Sequence, residues 1–139
     1  MFQEVRHQDN TYAIIIRKGY QKDGMSFFTP DSYSQQLAYM NRPKDYEIDP
    51  HLHNKVSREV EYTLEFLYIK SGKVKIDFYQ TDQTYFSSET LLAGDCVLLT
   101  YGGHGFTMLE HSEIIEVKQG PYVGENKDKI RFKKSDSIQ

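Results

Sequence analysis

Short stretches of alternating apolar and polar residues, cut by glycine- and proline-bearing turns, set the pattern of this 139-residue chain. Lys73 to Tyr79, KVKIDFY, alternates most cleanly. A strand points successive side chains to opposite faces, so Val74, Ile76 and Phe78 are expected in a core and Lys73, Lys75 and Asp77 in water. Thr11 to Arg17, TYAIIIR, is β-branched and apolar and reads as a first strand. Thr63 to Ile69, Cys96 to Thr100 and Glu113 to Gln119 read as further strands, and Tyr85 to Leu92 leads into a turn at Ala93-Gly94-Asp95. No stretch carries an apolar stripe at helical spacing over three turns.

The remaining segments are shorter. Met25 to Phe28 is an extended piece after the Gly19 and Gly24 turns, and Gln35 to Met40 is compatible with a strand that Asn41-Arg42-Pro43 breaks. Tyr46 to His53 reads as a strand or strand end, with Pro50 implying an edge or a bulge. Asn54 to Glu61 is polar and expected to loop out. Gly102-Gly103-His104-Gly105 reads as a glycine-rich turn. The chain is expected to be one all-β domain, with strands over about 1–44, a barrel over 45–123 and a loose tail after about 132.

Composition narrows the partners. A formal charge of -3 and a pI near 5.9 imply no basic face, which argues against nucleic acid. One cysteine, Cys96, excludes an intrachain disulfide and fits a reducing cytosol. In its apolar strand it reads as a small buried hydrophobe. The opening MFQEVRHQDN lacks a secretion-signal core, and no apolar run reaches membrane-spanning length. The expected location is the cytoplasm.

The candidate chemistry lies in DPHLHNKVSREVEYTLEFLYIKSG, Asp49 to Gly72. His51 and His53 are two apart, so on an extended segment both imidazoles face the same way. Two imidazoles aimed at one point suit a shared ligand, with a metal ion as the obvious candidate. His7 and His111 are isolated and read as surface or packing residues. Gln36, Arg42, Tyr101 and Lys118 lie near these motifs and are candidates for substrate contact; Glu116 shares a strand face with Lys118. Apart from Glu116 and Lys118, the run EVKQGPY from Glu116 to Tyr122 suggests no chemistry.

Two motifs resemble the signatures of the cupin family. In the first, Asp45 stands where a glycine is usual, with five residues between it and His51; His51 and His53 supply His-x-His; and six residues separate Glu65 from Gly72. Eleven residues separate His53 from Glu65, more than the family's usual gap, and Glu59 and Glu61 are rival carboxylates. In the second, Gly94 opens the motif, Thr100 replaces a proline, Gly102 holds a glycine, and His104 comes one residue early, with Met108 in place of an asparagine.

The resemblance implies a double-stranded β-helix, the cupin or jelly-roll barrel. It implies a divalent metal at the barrel mouth, held by His51, His53, Glu65 and His104. Three imidazoles and a carboxylate suit Fe, Mn, Ni, Cu or Zn. The protein would then bind or transform a small molecule such as a sugar or small acid. Two alternatives stay open. One is a metal-free sugar-nucleotide isomerase or epimerase of surface polysaccharide biosynthesis, with His51 or His53 as general base. The other is a sugar-binding module without catalysis. Cupins often pair through outer strands, so a homodimer is expected, with Thr11 to Arg17 against the partner.

Overall fold

The computed structural model describes residues 1–124 and 127–134, and among these it is all-β, with no helix. Its strands are β1 (Phe2–His7), β2 (Asn10–Ile16), β3 (Gly24–Phe27), β4 (Ala38–Asn41), β5 (Glu65–Ser71), β6 (Lys73–Tyr79), β7 (Tyr85–Leu92), β8 (Cys96–Leu99), β9 (Gly103–Met108) and β10 (Glu113–Lys118). The chain divides into two compact units. The first joins Met1–Tyr20 to Tyr62–Gln139, and the second is Gln21–Glu61. The stretch carrying both cupin-like motifs is thus shared between the two.

The first unit is an antiparallel sandwich. A five-stranded sheet in the order β1-β2-β8-β5-β10 packs on a three-stranded sheet in the order β7-β6-β9. Ala13, Ile15, Leu67, Ile69, Val97 and Leu99 from the larger sheet meet Val74, Ile76, Phe78 and Leu91 from the smaller. None of them is more than 3% exposed. Burying each such aliphatic or aromatic side chain contributes about 1.5–3 kcal/mol, so these two rows hold the sheets together. Arg17, just past β2, clips them at one end. It donates to Asp95 at 3.2 Å, to Glu89 at 3.1 Å and to the Thr90 carbonyl at 2.7 Å.

Several expectations are corrected. Thr11 to Arg17 is not an outer strand: β2 pairs with β1 on one side and β8 on the other. The partner that covers it is β1, whose sequence FQEVRH has only Val5 buried and so carries little apolar signal. A Gln8-Asp9 turn, with Gln8 at φ 55°, folds β1 back onto β2. Asp77 is not in water but 1% exposed. Ser88 donates to it at 2.5 Å, and Lys75 closes to 3.5 Å. Alternation assigns a side chain to a face; it does not make that face wet.

The glycine-rich turn is also mostly strand. Only Gly102 has a positive φ, 71°, and β9 begins at Gly103. Gly103 and Gly105 lie opposite Tyr79 and Asp77, and a Cβ at Gly103 would come within 3.2 Å of the Tyr79 Cβ. Thr63 and Leu64 precede β5 rather than opening it, and the Leu64 N–H goes to the Gln119 side chain at 2.6 Å.

The second unit holds the β3-β4 hairpin and an irregular stretch after it. Tyr46 to His53 is not a strand. Pro43 and Pro50 lack the N–H that a ladder needs, and Asp45 takes a left-handed φ of 68°. Asn54 to Glu61 is irregular and exposed, as its polarity suggests. Of the expected loose tail, Lys133 and Lys134 have no regular structure, and residues 135–139 lie outside those described.

Candidate functional site

Glu65 opens β5 on the same face as Leu67 and Ile69, so its side chain points between the sheets of the first unit. His104 lies directly across from Phe78 on β9, and it too points inward. The interior is therefore apolar through its middle and ends in a carboxylate from one sheet and an imidazole from the other. The two meet with His104 Nε2 3.7 Å from Glu65 Oε2. Their side chains are 26% and 16% exposed, so the pair is sheltered but reachable.

Charge gathers around it. The His104 imidazole holds the Glu65 carboxyl below the usual carboxylate range, against the opposing pull of burial. Lys118 and Lys129 add to that lowering. Lys118 is the direct cross-strand neighbour of Glu65 and pairs with Glu116 at 3.4 Å. The Glu116 carboxylate, with smaller contributions from Glu65 and Asp128, pushes the Lys118 ammonium pKa up. Glu116 pairs with Leu67, so Glu116 and Lys118 share the inward face at the sheet's edge. Phe106 lies edge-on to His104, with ring centroids 5.5 Å apart.

The structure thus brings together Glu65, His104 and Lys118 of the residues the sequence singled out. His51 and His53 belong to the second unit, both exposed, with ring centroids 5.3 Å apart. The His51 Nδ1 lies 2.9 Å from the Asp49 carbonyl. Gln36 is occupied in shaping its own loop: its amide nitrogen donates to the Pro30 carbonyl at 2.9 Å and its oxygen accepts from Thr29 at 2.7 Å. Arg42 stacks its guanidinium over Tyr46 at 4.5 Å. Tyr101 stands edge-on to Tyr12 at 5.2 Å. Glu59 lines a separate hollow of about 590 Å³ in the second unit, with Arg58, Asp31 and Tyr33.

His7 packs as expected, whereas Cys96 is less buried than its apolar strand suggests. His7 packs on Phe86, with ring centroids 4.6 Å apart. Cys96 is half-buried, and burial pushes its thiol up to about 11.

A scan of the sequence against protein-family models found no match, and neither did searches of curated proteins and of solved structures. The site is therefore interpreted from its own chemistry.

Among the described residues, no group of three or more His, Cys, Asp or Glu side chains is arranged to hold a metal ion. Glu65 and His104 belong to the first unit, and His51 and His53 to the second. Within its own unit the Glu65–His104 pair forms a carboxylate–imidazole dyad. A carboxylate–imidazole dyad, once closed to hydrogen-bond distance, can act as an acid–base pair.

The sequence missed the residues beyond β10. Asp128 accepts a hydrogen bond from Thr63 at 3.1 Å, just ahead of Glu65, and Phe132 packs on Tyr79. No motif spacing points to them, because they reach the site only through the path the chain takes after Lys118.

Proposed function

We propose that this protein binds a small molecule at the open end of its sandwich and moves a proton on it with His104, in the manner of an isomerase or epimerase. The observation that carries this reading is the approach of His104 Nε2 to Glu65 Oε2 across two sheets. With Nε2 turned to the carboxylate, a neutral ring protonated there would offer its Nδ1 lone pair as the base. Taking up a proton at Nδ1 makes an imidazolium, and the adjacent carboxylate stabilises it. Lys118, on the same inward face, would hold an oxygen of the ligand. His104 rather than His51 or His53 is the histidine backed by a carboxylate.

Cupin membership and the jelly-roll barrel belong to the same proposal. One backbone feature supports them. Gly72, Gly94 and Gly102, the motif glycines, have φ of 91°, 95° and 71°, and Asp45 in the remaining glycine position has 68°. Aspartate is among the few residues that accept that conformation. A divalent Fe, Mn, Ni, Cu or Zn held by His51, His53, Glu65 and His104 stays a second proposal, resting on the motif resemblance alone. The homodimer also remains a proposal; strand addition would now use β1 or β10, the edges of the larger sheet.

Thermal-shift screening of nucleotide sugars and small acids, with and without each metal, would find ligands. Each ligand is then incubated in D2O and analysed by NMR. Proton transfer predicts deuterium entering a carbon position with wild type and not with His104→Gln, while His104→Gln still binds. Exchange that survives in His104→Gln sinks the reading. A ligand bound tightly and recovered unlabelled favours a binding module. Binding that requires metal and is lost in His51→Ala favours the metal centre.

A further inference from the structure

We propose that the hollow between the end of β10 and the segment Lys127 to Phe132 is an anion subsite, in which Lys118 and Lys129 grip a carboxylate or phosphate group of the ligand. It deepens the reading above and rests on it: the ligand's reacting part lies at Glu65–His104 and its anionic part here.

The hollow has a volume of about 190 Å³ and is lined by Lys118, Gly120, Tyr122, Asp128 and Lys129, among others. At roughly 30 Å³ per water that is space for about six waters, enough for a phosphate or carboxylate with part of its hydration. Its charged lining is two ammonium groups and one carboxylate among the described residues. The carboxylate, Asp128, already accepts the Thr63 hydroxyl. Lys118 is paired with Glu116 at an exposed position, an interaction that an arriving anion can replace at little cost.

The hollow adjoins the dyad through both lysines. Lys118 stands across the strand ladder from Glu65, and the charge of Lys129 acts on the same carboxylate. The segment that carries Lys129 is held at two points. Asp128 bonds to Thr63, two residues ahead of Glu65. Phe132 stands edge-on to Tyr79 with centroids 5.0 Å apart, over Gly103. A Cβ at Gly103 would come within 3.2 Å of the Phe132 ring, so the ring sits close over the glycine backbone. Gly103 precedes His104, so the segment is anchored beside both members of the dyad.

The test titrates the full chain separately with inorganic phosphate and with acetate, following backbone amide signals by NMR. The subsite predicts saturable shifts at Lys118 to Gly124 and at Lys129 with at least one of the two. It predicts affinity reduced about tenfold in Lys118→Gln and in Lys129→Gln, the scale of one charge-assisted hydrogen bond. Phe132→Ala, which frees the segment, should weaken binding as well. Which anion binds tells a phosphate-bearing ligand from a carboxylate. No shift with either anion, or shifts unchanged in both lysine variants, overturns the subsite. Anion binding intact in a protein that shows no deuterium exchange overturns only the proton-transfer reading. Exchange intact without anion binding overturns only the subsite.

Discussion

Gly72 lies against His111 so closely that a Cβ added to it would collide with the His111 backbone carbonyl and with Ser112. Its φ is 91°, a conformation that L side chains rarely adopt. The β5-β6 turn is therefore glycine for two independent reasons, strain and contact. Gly72→Ala should cost about 2–4 kcal/mol, more than the roughly 1 kcal/mol of an unstrained change, because backbone rather than a flexible side chain must move. Urea denaturation checks this. A loss under 1 kcal/mol would mean the turn relaxes easily. Gly19→Ala, where nothing lies within 4 Å and φ is not positive, is the matched control and should be nearly silent.

Asp77 illustrates a buried charge that is partnered. Its Oδ1 accepts from Ser88 at 2.5 Å, Tyr85 reaches Ser88 at 2.8 Å, and Lys75 lies 3.5 Å away. Asp77→Ala removes the buried carboxylate that the Ser88 hydroxyl and the Lys75 ammonium both approach, and a loss of about 3–4 kcal/mol is expected. Ser88→Ala removes one hydrogen bond and should cost about 1–2 kcal/mol. In a double-mutant cycle the two losses should add to more than the double variant shows, since both remove the same contact. Strict additivity would deny the coupling.

These residues mark where the sequence was legible. The strands whose inward rows are Val, Ile, Leu or Phe, β2, β5, β6 and β8, were visible because burial itself writes the alternation. β1 was not, because an edge strand with one buried side chain needs its partner more than its own pattern. The histidine strand failed on Pro43, Pro50 and Asp45, whose backbone limits outweigh the spacing of two imidazoles. Glu65 and His104 were reachable only as motif positions. Their meeting depends on two sheets packing face to face, which spacing does not encode. Lys129 and Phe132 were invisible for the same reason, being placed by the return of the chain.

Cys96 should be nearly inert in the folded protein. Its thiol is pushed up to about 11, chiefly by burial, so at pH 8 only about one molecule in a thousand carries the thiolate. Alkylation by iodoacetamide at pH 8 is expected to be orders of magnitude slower for folded protein than in 6 M urea. Reaction at the unfolded rate would place Cys96 in a far wetter setting. The slope with pH is a second check: the folded rate should still be climbing above pH 10, where an ordinary thiol has levelled off.

Glu65 ties the site to acid stability, and the sign follows from the direction of its shift. Its carboxyl is held below the ordinary value of 4.5 by the His104 imidazole first, with burial opposing and the lysines assisting. The unfolded chain therefore takes up the proton at higher pH than the folded one. The contribution of Glu65 is present above the ordinary carboxylate value and is lost as pH falls through the lower folded value. Glu65→Gln removes this source of pH dependence. Stability of the variant should fall less steeply than wild type below about pH 4.5, the two curves staying offset above it. Because the group is partly open to water the offset should be small, and it should shrink in 0.5 M salt. Curves of equal slope through the acid range would show that the folded Glu65 titrates like the unfolded one, and that His104 leaves its charge unstabilised.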